Sequence, residues 1–170
     1  MRHLPCHRHL FGHAAVAQGR IAGAVRELRP HPRRLVKALT LYTDGASRGN
    51  PGKGGAGVVI EDDQGMRLQG RHRYLGSVTN NQAEYMALID GLETVMPWKP
   101  DELHIRLDSN LLVEQIKGNY KVKDAELRAL YERVMSMLKS FKYDIAHVPR
   151  EKNRGADHLA NVAIDEHGKG

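Results

Sequence analysis

The sequence predicts an α/β domain, a mixed five-stranded sheet flanked by helices in the element order β-β-β-α-β-α-α-β-α. Three observations predict it. Apolar segments punctuated by glycine-rich and charged turns run from Ala38 to Leu75, as in an antiparallel meander. Two more alternating segments, Asp101–Leu107 and Lys142–Val148, are interleaved with stretches of helical character, which makes the sheet mixed and gives it helical cover. At 170 residues the chain is long enough for one domain with a sizeable core.

Each element has its local cause. Ala38–Thr43 is expected as a first strand ending at Asp44, followed by a glycine-rich turn over 45–57 that leads into Val58, Val59 and Ile60. The charged turn Glu61–Gly65 then opens onto a third strand, Met66–Leu75. Thr79 and Gln82 have capping-box spacing, so a helix is expected from Thr79 to about Met96, where Pro97 stops it. In Asp101–Leu107, Leu103, Ile105 and Leu107 alternate with polar residues. Asp108 or Ser109 caps a short helix to about Lys117, ended by Gly118, and a longer helix covers about Asp124–Ser140. Lys142–Val148 is the fifth strand, stopped by Pro149, and a final helix starts near Gly155.

The net charge of +6 is unevenly placed. Residues 1–38 hold 8 Lys and Arg against the lone Glu27, while residues 39–170 hold 18 against 19 acids. The basic pI therefore belongs to the first segment, and overall basicity says nothing of what the folded part binds. Residues 1–38 form a basic extension expected to be disordered, with Pro30 and Pro32 interrupting any short helix between Ile21 and Lys37. The segment is Arg- and Ala-rich like an organelle transit peptide, but it contains no Ser. The single Cys6 excludes an internal disulfide, and no apolar run is long enough to span a membrane. A soluble, cytoplasmic, monomeric protein is the expectation.

Four carboxylates carry the chemistry, each in a distinct phrase. They are Asp44 in Leu41-Tyr42-Thr43-Asp44-Gly45-Ala46-Ser47, Glu84 in Thr79-Asn80-Asn81-Gln82-Ala83-Glu84, Asp108 in Arg106-Leu107-Asp108-Ser109-Asn110, and Asp157 in Asn153-Arg154-Gly155-Ala156-Asp157. Each has an ordinary structural explanation when taken singly. Asp-Gly is a turn dipeptide, Asp108 suits a helix N-cap, and Glu84 and Asp157 complement a helix macrodipole. Four that converge at the end of a sheet would instead make a site for hard divalent cations.

In order and context these phrases resemble the type 1 ribonuclease H family over residues 39–166, most closely in the ten residues Thr43–Gly52. The resemblance implies a ribonuclease H-like fold for residues 39–170 and hydrolysis of the RNA strand of RNA/DNA hybrids. It implies that Asp44, Glu84, Asp108 and Asp157 hold two Mg²⁺ ions, with Mn²⁺ as a substitute, and that products carry 5′-phosphate and 3′-hydroxyl ends. Two such ions lie about 3.5–4 Å apart and stabilise both the attacking and the leaving oxygen. By the same resemblance Asn50, Asn80 and Asn81 contact the hybrid and Thr79 lies at a phosphate pocket for the DNA strand, although Asn and Thr are also ordinary turn and cap residues. Tyr120 is either a counterpart of an aromatic in the DNA channel or a packing residue.

Two departures place the chain with compact bacterial and archaeal members. The link from Pro149 to Asp157 is short and has no histidine, where many relatives carry a mobile loop with one. Glu151 or Arg150 is the candidate substitute. No cationic helix-loop insertion follows Gly118, since Gly118–Lys123 leads straight into a helix of mixed charge. A related nuclease that also accepts double-stranded RNA, and a noncatalytic nucleic-acid-binding module on the same fold, are the alternatives. The basic extension is either a tether that adds phosphate contacts or a segment without function.

Overall fold

The computed structural model describes residues 37–168, so the expectations for the basic extension lie outside the described residues. Strand β1 (Ala38–Gly49) is flanked by β2 (Gly52–Glu61), which pairs in turn with β3 (Arg67–Val78); both pairings are antiparallel. On the other side β1 pairs in parallel with β4 (Glu102–Leu107), and β4 in parallel with β5 (Tyr143–His147), giving the order β3-β2-β1-β4-β5. Helices α1 (Asn80–Val95), α2 (Asn110–Ile116), α3 (Ala125–Leu138) and α4 (Arg154–His167) complete the predicted element order.

The capping residues act as their types predict. Thr79 Oγ1 accepts from the Gln82 backbone N–H at 3.2 Å, and Gln82 Oε1 accepts from the Thr79 N–H at 2.8 Å. Ser109, rather than Asp108, caps α2, and Asp124 caps α3. Pro97 lies in a short 3₁₀ turn, Met96–Trp98, that ends α1. Gly118, at φ +84°, turns the chain out of α2.

One expectation fails. The glycine-rich stretch 45–57 is not a turn: β1 runs on through Asp44 to Gly49, only Asn50 and Pro51 turn, and β2 starts at Gly52. The glycines are there for close approach. A Cβ at Gly45 would lie 2.1 Å from the Ala83 carbonyl carbon in α1. A Cβ at Gly55 or Gly57 would lie 2.1 or 2.0 Å from the Ala160 or Ala156 carbonyl oxygen in α4. Because Gly57 pairs with Asp44 and Ala56 with Gly45, α1 and α4 sit on opposite faces of the sheet. Glycine here sacrifices strand propensity so that helix backbone can lie on the sheet.

The α1 face holds the main core. Leu39, Leu41, Val58, Ile60, Leu103, Ile105, Leu107 and Ile145 from the strands meet Tyr85, Leu88, Leu92 and Val95 of α1, with Val134 and Leu138 of α3 behind them. Burial of each such aliphatic side chain contributes about 1.5–3 kcal/mol. Gly57→Ala is expected to cost about 1–3 kcal/mol through overpacking against α4. A thermal melt checks this, and an unchanged midpoint would contradict the close-approach account.

Candidate active site

The sheet register brings the first two aspartates together. Tyr42 pairs with Arg106 across the parallel β1/β4 edge, so two residues further on Asp44 comes level with Asp108, where β4 ends. Glu84 comes from the second turn of α1, which the side-chain-free Gly45 lets settle against β1. Carboxylate oxygens of Asp44, Glu84 and Asp108 all lie within 4.8 Å of one another. Asp157, in the first turn of α4, stands outside this trio but close enough for its charge to raise the Asp44 carboxyl. The structure thus gathers three of the predicted carboxylates in one knot and sets the fourth, Asp157, beside Asp44.

The electrostatics call for a counter-charge. Asp44 is 6% exposed and Glu84 8%. Burial, then the Asp108 and Asp157 charges, push the Asp44 carboxyl up to about 8, while Arg150 pulls in the other direction. Burial and the Asp44 and Asp108 charges likewise raise Glu84, opposed by a hydrogen bond from the Gly45 backbone N–H. Glu84 Oε2 is buried with no hydrogen-bond partner. An all-oxygen donor set with an orphaned buried oxygen and mutually repelling acids fits a hard divalent cation such as Mg²⁺.

The predicted substrate residues lie at the N-terminus of α1 and at the β1–β2 turn. Asn50 Oδ1 accepts from the Asn80 backbone N–H at 3.2 Å, which ties the turn to the helix start. Thr79 is committed to the capping box, its hydroxyl oxygen accepting. Asn81 lines a shallow groove between α1 and α2 beside Glu84, Ser109 and Leu111. Tyr120 is exposed and belongs to no packed core.

Sequence reasoning passed over Asn153, whose side chain is 1% exposed and bonded to the Asp108 carboxylate at 3.1 Å. Its place in the Asp157 phrase, four residues before the acid, was the available signal. Arg150, named only as a candidate, donates from Nη2 to Asp157 Oδ1 at 2.8 Å. Among the described residues no hydrogen bond or ion pair joins Glu151 to the four acids. His147 ends β5, as expected, and only 117–124 separates α2 from α3, leaving no inserted cationic helix.

Known proteins resemble this chain in sequence and fold. Residues 42–163 match the reverse transcriptase-like family. Ribonuclease HI of Halobacterium salinarum is 42% identical over 127 residues, covering 74% of this chain and 63% of that protein. The bifunctional protein Rv2228c of Mycobacterium tuberculosis is 39% identical over 129 residues, covering 75% of this chain and 35% of that protein. LC11-RNase H1, solved in complex with an RNA/DNA hybrid, superposes with a TM-score of 0.72 at 41% identity, covering 76% of this chain and 98% of that one. The chain therefore belongs to the type 1 ribonuclease H family and has the ribonuclease H-like fold. It spans less than two thirds of the length of the two curated relatives.

The raised acids predict that cation binding expels protons. At pH 7 the Asp44 carboxyl, at about 8, is mostly protonated in the metal-free chain and must ionise to ligate. Calorimetric titration with Mn²⁺ in buffers of different ionisation enthalpy should show at least about one proton released, and buffer-independent heats would refute the protonated state. The linkage sign follows. A carboxyl held above its unfolded value of 3.8 makes the metal-free fold lose stability as pH rises from about 4 through 8. Asp44→Asn removes that loss, so at pH 8.5 without metal it should melt above wild type, by at least about 3 °C if 1 kcal/mol is relieved.

Proposed function

We propose that this chain is a metal-dependent ribonuclease H that cuts the RNA strand of RNA/DNA hybrids endonucleolytically, leaving 5′-phosphate and 3′-hydroxyl ends. The observation that carries the proposal is the knot of Asp44, Glu84 and Asp108 with its orphaned Glu84 oxygen, just past the point where the parallel β1/β4 pairing ends. The bound hybrid in the similar LC11-RNase H1 supports the substrate class. Asp44, Glu84, Asp108 and Asp157 would hold two Mg²⁺ ions, or Mn²⁺ in their place. When bound, the ions lower the pKa of an attacking water and offset charge on the departing ribose 3′ oxygen.

The chain's own groups do the rest. Asp44 lies beside both Glu84–Asp108 and Asp157, so it would help hold both ions. Asn50 and Asn80, tied together, and Asn81 beside Glu84 would contact the strands, with 2′-hydroxyls distinguishing RNA from DNA. Thr79 Oγ1 accepts from Gln82, so its own proton is available for a phosphate oxygen of the DNA strand. Contacts of this kind carry no base information, so cleavage would be sequence-nonspecific. The protein would act as a cytoplasmic monomer. Among the described residues, no helix is long and apolar enough to cross a membrane.

Cleavage of a labelled hybrid with Mg²⁺ or Mn²⁺, run beside double-stranded RNA, tests the proposal. RNA-strand cuts confined to the hybrid, absent in Asp44→Asn, are expected. Cuts in both substrates would favour the broader nuclease, and tight binding without cutting would favour the noncatalytic module. Arg150→Ala should lower turnover roughly tenfold, the scale of lost support to a ligating carboxylate, and Glu151→Gln should not. Equal turnover in both variants would end the idea that Arg150 substitutes for the loop histidine. Catalysis is assigned to residues 39–170 and none of it to the basic extension. Deleting residues 1–37 should leave kcat at saturating hybrid unchanged, and a large fall in kcat would contradict that division.

A further inference from the structure

Asparagine at the position before a helix ordinarily caps it, its side-chain oxygen accepting from a backbone N–H in the first turn. Asn153 occupies that position before α4 and makes no such bond. Its side-chain nitrogen points elsewhere, donating to the Thr43 carbonyl at 3.0 Å and to Asp108 Oδ1 at 3.1 Å. An amide nitrogen has two N–H groups, and these two acceptors use both. Thr43 is the residue before Asp44, and the Asn153 carbonyl accepts from the Asp157 backbone N–H at 3.1 Å. One buried side chain therefore touches the β1 backbone beside Asp44, the Asp108 carboxylate and, through its own main chain, the turn that carries Asp157. Its Oδ1 is buried with no partner, so the amide is not held in place by a second acceptor-side contact.

We propose that Asn153 is the positioning residue of the site: its amide fixes the spacing between strand β1, the end of β4 and helix α4, so that acids from three separate elements meet as one cation-binding set. The inference rests on the nuclease proposal above. The chemistry is specific to this side chain. An N–H donated to Asp108 fixes the carboxylate's plane, while the second N–H measures the distance to β1. Aspartate would set a third negative group against Asp108 and the Thr43 carbonyl. Alanine would leave a buried carbonyl and a carboxylate oxygen without their donor.

The test compares the full chain with Asn153→Ala. Three readouts are needed: Mn²⁺ affinity by calorimetry, the thermal midpoint without metal, and kcat and KM on a hybrid across a range of Mn²⁺ concentrations. Mn²⁺ affinity should fall about 10–100-fold, the usual cost of losing an outer partner of a ligand. The loss of kcat should shrink as Mn²⁺ is raised, with KM for hybrid unchanged. A lowered midpoint with wild-type Mn²⁺ affinity and wild-type metal dependence would overturn the proposal, leaving Asn153 a packing group. If Asn153→Ala does not fold, Asn153→Ser keeps a hydroxyl donor that can serve one acceptor only, and its Mn²⁺ affinity is judged by the same criterion. Wild-type chain that neither binds Mn²⁺ nor cuts hybrid would instead overturn the nuclease proposal itself.

Discussion

Like-charge repulsion among acids shut away from water is the constraint around which the rest of this fold is arranged. Three carboxylates with oxygens inside 4.8 Å, two of them nearly buried, oppose one another whenever they ionise. Nothing local to any one of them would hold them there. They stay because each is fastened to an element with its own reasons for being in place. The β1/β4 ladder sets Asp44 level with Asp108, the capping box starts α1 at the turn that delivers Glu84, and α4 lies on the glycines of β2. The apolar cluster under α1 supplies the free energy to hold them, and the acids draw on it.

Some of the remaining surface charges are paired among themselves. Arg73 forms a two-point bridge to Asp90 between β3 and α1, Arg48 meets Asp165, Arg133 meets Glu93, and Arg106 shares Asp144 with His104. Exposed pairs of this kind add little stability. The domain is close to neutral because acids and bases are evenly balanced from residue 39 onward. Attraction for a polyanion is then concentrated where cations and particular polar groups sit, rather than spread over the surface.

Much of this was legible in the sequence because it depends on local chemistry. The Thr79–Gln82 spacing, Pro97, Gly118 and the alternation in 103–107 each specify an element whatever surrounds it. The four acids were legible because each sits in its own distinct local phrase, in the order the family resemblance expects. What escaped was set by contacts between distant segments. Glycine composition signals a turn when neighbours are ignored, and only the helix backbones at 2.0 and 2.1 Å explain why Gly45, Gly55 and Gly57 belong in strands. Asn153 stands where a helix cap ordinarily does, and its partners lie 110 and 45 residues away.

The bond from Asn153 to Thr43 closes a span of 110 residues, between the first strand and the last helix. During synthesis the chain emerges from its N-terminal end, so β1, α1 and β4 are made long before α4 exists. Asp44, Glu84 and Asp108 are therefore synthesised before the helix that carries Asp157. The fourth acid and the amide of Asn153 can join them only once the last helix has been made. A nascent or truncated chain would carry most of the acids without the element that organises them, and the timing of its chemistry would be set by completion of the polypeptide.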